Sequence, residues 1–298
     1  MLFWMSRRKP RMNANRRKFT VLLIGIVGSS AYAQWVNYPA PGTPRTPDGK
    51  PNLTAPAPRA SNGKPDLSGL WHVQPTPRDE MVRLLGADLI KAADATSVPG
   101  MELDTISKYA INILLDFKPE EAPMRPEAAA LFAKRAQGDV RDPGVDCLPL
   151  GIPISSLVSE VHKIVQTPGL IVILLEVDNA HRQIYTDGRK LPTDPQPSWL
   201  GYSTGKWEGD TLVVDTVGFN DKAWLDVLGH PRSEAMHLVE RYHRRNFGHL
   251  DVQMTFDDPK MYTKPFSIKI THQLIPDSDI LEYFCAENEK DHAHQAAR

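Results

Sequence analysis

From residue 161 onward, apolar and polar positions alternate in short runs, and that period of two predicts β-strands. Strands are expected near residues 161–166, 170–177, 181–186, 200–206, 211–217, 236–245, 249–256, 265–274 and 280–286. Tight joins such as Thr167-Pro168-Gly169, Glu208-Gly209-Asp210 and Asn246-Phe247-Gly248 separate them. Ahead of this block, Gly69-Leu70-Trp71-His72-Val73 reads as a first strand. Residues 79–94, 102–116 and 126–137 have helical spacing, with Pro126 suited to a first turn. Eight or more strands joined this way close into a barrel or fold into a sandwich, because closure removes exposed edges. The expected fold is mainly β: an antiparallel meander forming one domain over residues 69–298, with a helical insert at about 79–137. A barrel of about eight strands has room for one small ligand.

Residues 1–68 have a different pattern. Residues 1–33 read as an export signal: a basic stretch from Arg7 to Lys18, an apolar stretch from Val21 to Val27, and the small-residue site Ala31-Tyr32-Ala33. Asn15-Arg16-Arg17-Lys18-Phe19 is similar to a twin-arginine signal, and the general secretory route is the alternative. A periplasmic or secreted location is expected; an uncut signal would instead anchor the chain in a membrane. Residues 34–68 form a Pro-rich leader with a near-repeat, Pro47-Asp48-Gly49-Lys50-Pro51-Asn52-Leu53 and then Asn62-Gly63-Lys64-Pro65-Asp66-Leu67. Its Asp-Gly and Asn-Gly steps are turn chemistry, so the leader is expected to lie on the surface.

Charge and cysteine content narrow the classes. The formal net charge is -1, but the first 33 residues hold seven Lys or Arg and no Asp or Glu. The remainder carries 28 basic against 36 acidic residues, about -8. A chain of that sign has no general electrostatic reason to bind nucleic acid or anionic lipid. Cys147 and Cys285 are the only cysteines, and in an oxidising compartment an even pair suggests one disulfide; two separately buried thiols are the alternative.

Strand faces supply the candidate chemistry. On residues 265–274, Phe266, Ile268, Ile270 and Leu274 share a face with His272, and on residues 280–286, Ile280 and Phe284 share one with Glu282. If residues 275–279 turn as a hairpin, His272 faces Glu282 within roughly 5 Å at Cβ. The pair would act as acid and base, or else only fix strand register. Glu240 alternates with Met236, Leu238 and Tyr242 and is expected to point inward as a third candidate. Glu176 ends an apolar run and reads as a strand cap. Tyr202, Phe219, Trp224 and Tyr242 are candidate ligand contacts, although Phe219 and Trp224 would serve equally to plug one end of the core.

Other motifs fail a physical test. Gly201-Tyr202-Ser203-Thr204-Gly205 matches the nucleophile-elbow pattern, but residues 206–214 read as a hairpin and not as the helix that an elbow needs. His237 and His243 are six residues apart on one strand, roughly 20 Å, too far to share an ion. No zinc spacing, phosphate loop or dinucleotide fingerprint occurs, so neither metal nor cofactor is expected.

Pro47-Asp48-Gly49-Lys50-Pro51, Asp66-Leu67-Ser68-Gly69-Leu70-Trp71 and Gly201-Tyr202-Ser203-Thr204-Gly205-Lys206-Trp207-Glu208-Gly209-Asp210-Thr211-Leu212 resemble a family of uncharacterised exported bacterial proteins. The likeness extends through residues 215–221 and 285–291, and it implies export without implying an activity. Gly69-Leu70-Trp71 before an antiparallel series also resembles the opening of lipocalin-like barrels, which bears on fold more than on function. Three functions are compatible with the sequence. They are an exported barrel that binds a small molecule, with neither nucleic acid nor membrane as partner, an exported lyase, isomerase or hydrolase using the internal His/Glu pair, and a scaffold with a filled interior.

Overall fold

The computed structural model describes residues 39–88, 90–91 and 105–285; the expected export signal and residues 286–298 lie outside them. Nine strands close into one barrel: β1 (Gly69–Val73), β2 (His162–Thr167), β3 (Leu170–Leu175), β4 (His181–Tyr185), β5 (Tyr202–Glu208), β6 (Thr211–Val217), β7 (His237–Asn246), β8 (His249–Asp257) and β9 (Phe266–Leu274). Each strand pairs with its neighbour in sequence, and β9 returns to β1 through Trp71↔Leu274 and Val73↔His272. The first eight predicted strands of the C-terminal block, and the early strand at Gly69, all form within a few residues of their expected bounds.

Three expectations are corrected. The barrel is not antiparallel throughout: β4 and β5 run parallel, pairing Ile184 with Ser203, because residues 186–201 cross the length of the wall before β5 begins. No strand forms over residues 280–285. The edge of β9 that it would need is already taken by β1, so residues 275–285 descend the outside of the barrel as a strap. The strap is held where Leu281 N–H donates to Glu176 (2.9 Å), where the Asn179 side chain bonds the Tyr283 backbone, and by the Cys147–Cys285 disulfide, with Cα atoms 5.5 Å apart. Glu176 is thus a strap anchor.

The leader lies on the surface over residues 39–64, as expected, but its end does not, because Pro65 and Leu67 are buried; that is the third correction. Its two near-repeats fold into the same turn. Thr46 N–H donates to Lys50 O and Gly49 N–H to Thr46 O, both at 2.8 Å, and Ala60, Lys64 and Gly63 repeat these bonds at 2.9 Å. Gly49 and Gly63 supply the positive φ that each turn requires (82° and 77°). Arg45 of the first turn pairs with Asp277, and Arg59 of the second grips Asp210 with two bonds of 3.0 and 2.7 Å. The chain then crosses the barrel end where β7 turns into β8. Leu67 is 1% exposed there, its carbonyl accepts from Trp71 Nε1 (3.0 Å), and Leu53 O accepts from Gly248 N–H (2.8 Å). Gly248 is required at that crossing, since a Cβ would lie 2.4 Å from the Leu53 Cβ.

The other end is covered by the helical insert, with α1 (Arg78–Leu85), α2 (Lys108–Ile111) and α3 (Pro126–Ala136), and by the loop of residues 218–236. Pro126 begins α3 as expected. Of the helix predicted over 102–116, the described residues 105–116 keep four helical positions, because Asn112 turns extended and Ile113 N–H goes instead to the Asp226 carboxylate at 2.6 Å. Between the two caps, Ile164, Ile171, Ile184, Val214, Met254, Phe256 and Ile268 pack with Trp71 into one buried cluster. No described helix is long and apolar enough to cross a membrane.

Candidate functional site

Inward positions on four adjacent strands depart from this apolar pattern. Arg182 of β4, Ser203 of β5, Thr216 of β6, and Glu240 and Tyr242 of β7 converge inside the wall. The register sets Ser203 opposite Thr216, with hydroxyls 3.0 Å apart. Arg182 donates from Nε to Ser203 Oγ (3.1 Å), from Nη1 to Glu240 Oε1 (3.0 Å), and from Nη2 to Thr216 Oγ1 (2.8 Å) and to Glu240 Oε2. The Tyr242 hydroxyl donates to Glu240 Oε1 at 2.8 Å. Side-chain exposure is 1% at Arg182 and 0% at Glu240. Burial acts to lower the Arg182 pKa, and the Glu240 charge overcomes it, so the value is raised. Burial, with Glu240 beside it, pushes the Tyr242 phenol well above its ordinary value. These groups satisfy one another, which makes a locked knot that cannot exchange a proton with a bound molecule without coming apart.

His272 also faces inward, as the alternation of β9 predicts, but it meets different partners. Its Nε2 donates to Ser156 O (3.0 Å), since a carbonyl only accepts, and this leaves Nδ1 as a buried acceptor with no partner among the described residues. The ring stands edge-on to His162 with centroids 4.6 Å apart. Burial lowers the His272 pKa to about 4; that of His162 falls well below its ordinary value through burial and then through His272. Both imidazoles are therefore neutral at pH 7.

The His272–Glu282 pair does not form. Glu282 is exposed on the strap, because the chain after Leu274 meets a closed barrel and has no edge on which to fold back. Glu240 points inward as expected, but Arg182 holds it. The proposed ligand contacts do not gather at one mouth. Tyr202 is 41% exposed on the outer wall, and Tyr242 belongs to the knot. Phe219 is fully buried under the Arg232 guanidinium, 4.8 Å away, and Trp224 is buried with Arg135 at 5.0 Å. The plugging role holds for both: their loop is tied down by Asp226, whose carboxylate takes N–H bonds from Ile113, Gly229 and His230. Ser203 is buried in the knot, at the start of a hairpin, and no helix comes after it. Among the described residues no group of three His, Cys, Asp or Glu side chains could hold a metal ion.

Comparison with protein-family models, with curated proteins and with solved structures finds no match.

A recess that can admit a molecule lies outside the barrel, at the leader end. A groove of about 460 Å³ runs between the leader and the strap over β1, β2 and β9. Leu70, Leu274 and Phe247 give it an apolar floor, and Lys163, Asp277 and Asp279 stand around it. The Lys163 ammonium is 2.6 Å from Asp279 and holds its carboxyl below the ordinary range. Arg244 closes the inner wall, donating to Asp66 O at 2.5 Å and Ser68 O at 3.2 Å. Sequence reasoning misses this site because its walls, the leader and the strap, come from opposite ends of the chain and show no periodicity. It misses Arg182 because one charged residue in His-Arg-Gln-Ile-Tyr does not reveal which face is inside.

Proposed function

We propose that this chain is an exported β-barrel protein that binds a small, partly apolar molecule with a polar end, in the groove between leader and strap and not inside the barrel. The observation that carries the reading is the groove itself: its volume lies in the range of small-molecule sites, and an apolar floor with a few charged groups is the usual composition of such sites. The packed interior, where the polar side chains of the knot are paired with one another, argues against an internal ligand. Export is supported by the signal-like N-terminal sequence and by the disulfide, a bond that persists in oxidising compartments. The binding reading is preferred to the acid/base enzyme because His272 and Glu282 are on different sides of the wall and the third candidate, Glu240, is held by Arg182.

A thermal-shift screen of small apolar acids, amines and zwitterions tests it. A ligand at a hundred times its Kd stabilises the fold by about 2.7 kcal/mol, several degrees in Tm. At least one class is expected to do so, and Ser278→Trp, which fills the groove from the strap, should abolish the shift while leaving the basal Tm in place. A screen without any stabiliser, or a shift that survives Ser278→Trp, counts against the groove.

A further inference from the structure

The outer wall of β6 to β9 carries a second recess, of about 470 Å³, lined by outward-facing side chains of the four strands. Arg241, His243 and Arg245 alternate along β7 and are all exposed, and Lys269 stands two strands away in the row Arg241↔Gln253↔Lys269. At ordinary sheet spacings, Arg241 and Lys269 are about 10 Å apart across the strands, and Arg241 and Arg245 about 13 Å apart along one. Two carboxylates partly balance them: Arg241 pairs with Glu208 and Arg245 with Asp251, both at 3.0 Å. Glu208 is shared with Lys206, 3.2 Å away, and Lys269 has no ion-pair partner among the described residues. The recess, with Arg241, Arg245 and Lys269 against Asp251 and the neighbouring Glu208, is therefore positive, while Asp215 and Asp257 balance the rest of the wall, on a chain whose sequence beyond residue 33 is acidic.

We propose that this wall binds an acidic polysaccharide, a glycan with carboxylates repeated along an extended chain. Cations set about 10 Å apart by the sheet register match a repeating anion. Gln253 lies between Arg241 and Lys269 and offers hydrogen bonds to hydroxyl groups. The recess contains no Phe, Tyr or Trp on which a nucleobase could stack, and its apolar lining residues, Val252 and Ile270, are buried and give a membrane nothing to hold. The surface is distinct from the groove of the proposed function and stands without it.

Affinity electrophoresis of the purified chain in gels containing polygalacturonate tests the proposal, with a neutral glucan, duplex DNA and anionic phospholipid vesicles as comparisons. Retardation is expected in polygalacturonate alone, weakening as salt rises from 50 to 500 mM on the order expected for screened charges. The triple variant Arg241→Gln, Arg245→Gln, Lys269→Gln should weaken it at least tenfold, whereas Lys190→Gln with Lys222→Gln should not. All five positions are exposed, and an unchanged Tm confirms that each variant is folded. Absence of retardation, equal retardation by the triple variant, or equal binding to DNA or vesicles overturns the proposal.

Discussion

Arg182 owes its place inside the barrel to Glu240, and the reverse is equally true. Each would be an uncompensated charge alone, and breaking such a pair typically costs about 3 to 5 kcal/mol, more than most single substitutions. Glu240→Gln keeps the shape of the knot and removes one charge, so it should lower unfolding stability by about that amount in urea denaturation. The double variant Arg182→Met, Glu240→Leu should recover most of the loss; equal stability of Glu240→Gln and wild type would mean that the pair is not buried. His272 makes a second prediction, through pH. Its folded pKa, near 4, is below the ordinary value of about 6.5, so between these limits the unfolded chain binds a proton that the fold does not. Its contribution is complete above about pH 6.5 and is lost as pH falls toward 4, a span worth about 3 kcal/mol, and buried His162 acts in the same direction. The urea midpoint should drop between pH 7 and 5, and His272→Gln should flatten that slope; a midpoint independent of pH over this interval would contradict the burial of both rings.

At the scale of elements, the leader decides how the barrel ends. A leader that merely covered the surface would tolerate change at Leu67 within about 0.5 kcal/mol. As a buried plug, 1% exposed, Leu67→Ala should cost about 2 to 5 kcal/mol by urea denaturation, and a smaller change would return the leader to the surface. The leader also shows what sequence can and cannot say. The turns at Gly49 and Gly63 are legible, because Asp-Gly and Asn-Gly followed by Pro leave the backbone little choice. Their destination is not, because Arg45–Asp277 and Arg59–Asp210 join residues 232 and 151 positions apart. The inward faces of β7, β8 and β9 are correct from alternation alone, with Glu240 and His272 among them. Partners differ from expectation wherever they depend on which edge closes the barrel. Hydrophobic period fixes a face, but it does not say that β9 will pair with β1 and strand residues 280–285 outside.

For the whole molecule, closure at both ends has a direct consequence for function. A barrel with an open mouth can take a ligand inside; this one is capped by the leader at one end and by helices and the buried Phe219–Trp224 loop at the other, so the groove of the proposed function lies on the outer surface. Cys147–Cys285 belongs to the same scheme, since it fastens the strap that forms one wall of the groove. The most direct measurement is methyl NMR of the chain titrated with a ligand that raises its Tm. Shifts are predicted first at Leu70 and Leu274, with Ile184, Val214 and Ile268 unmoved; the reverse order would place the ligand inside the barrel and contradict the account.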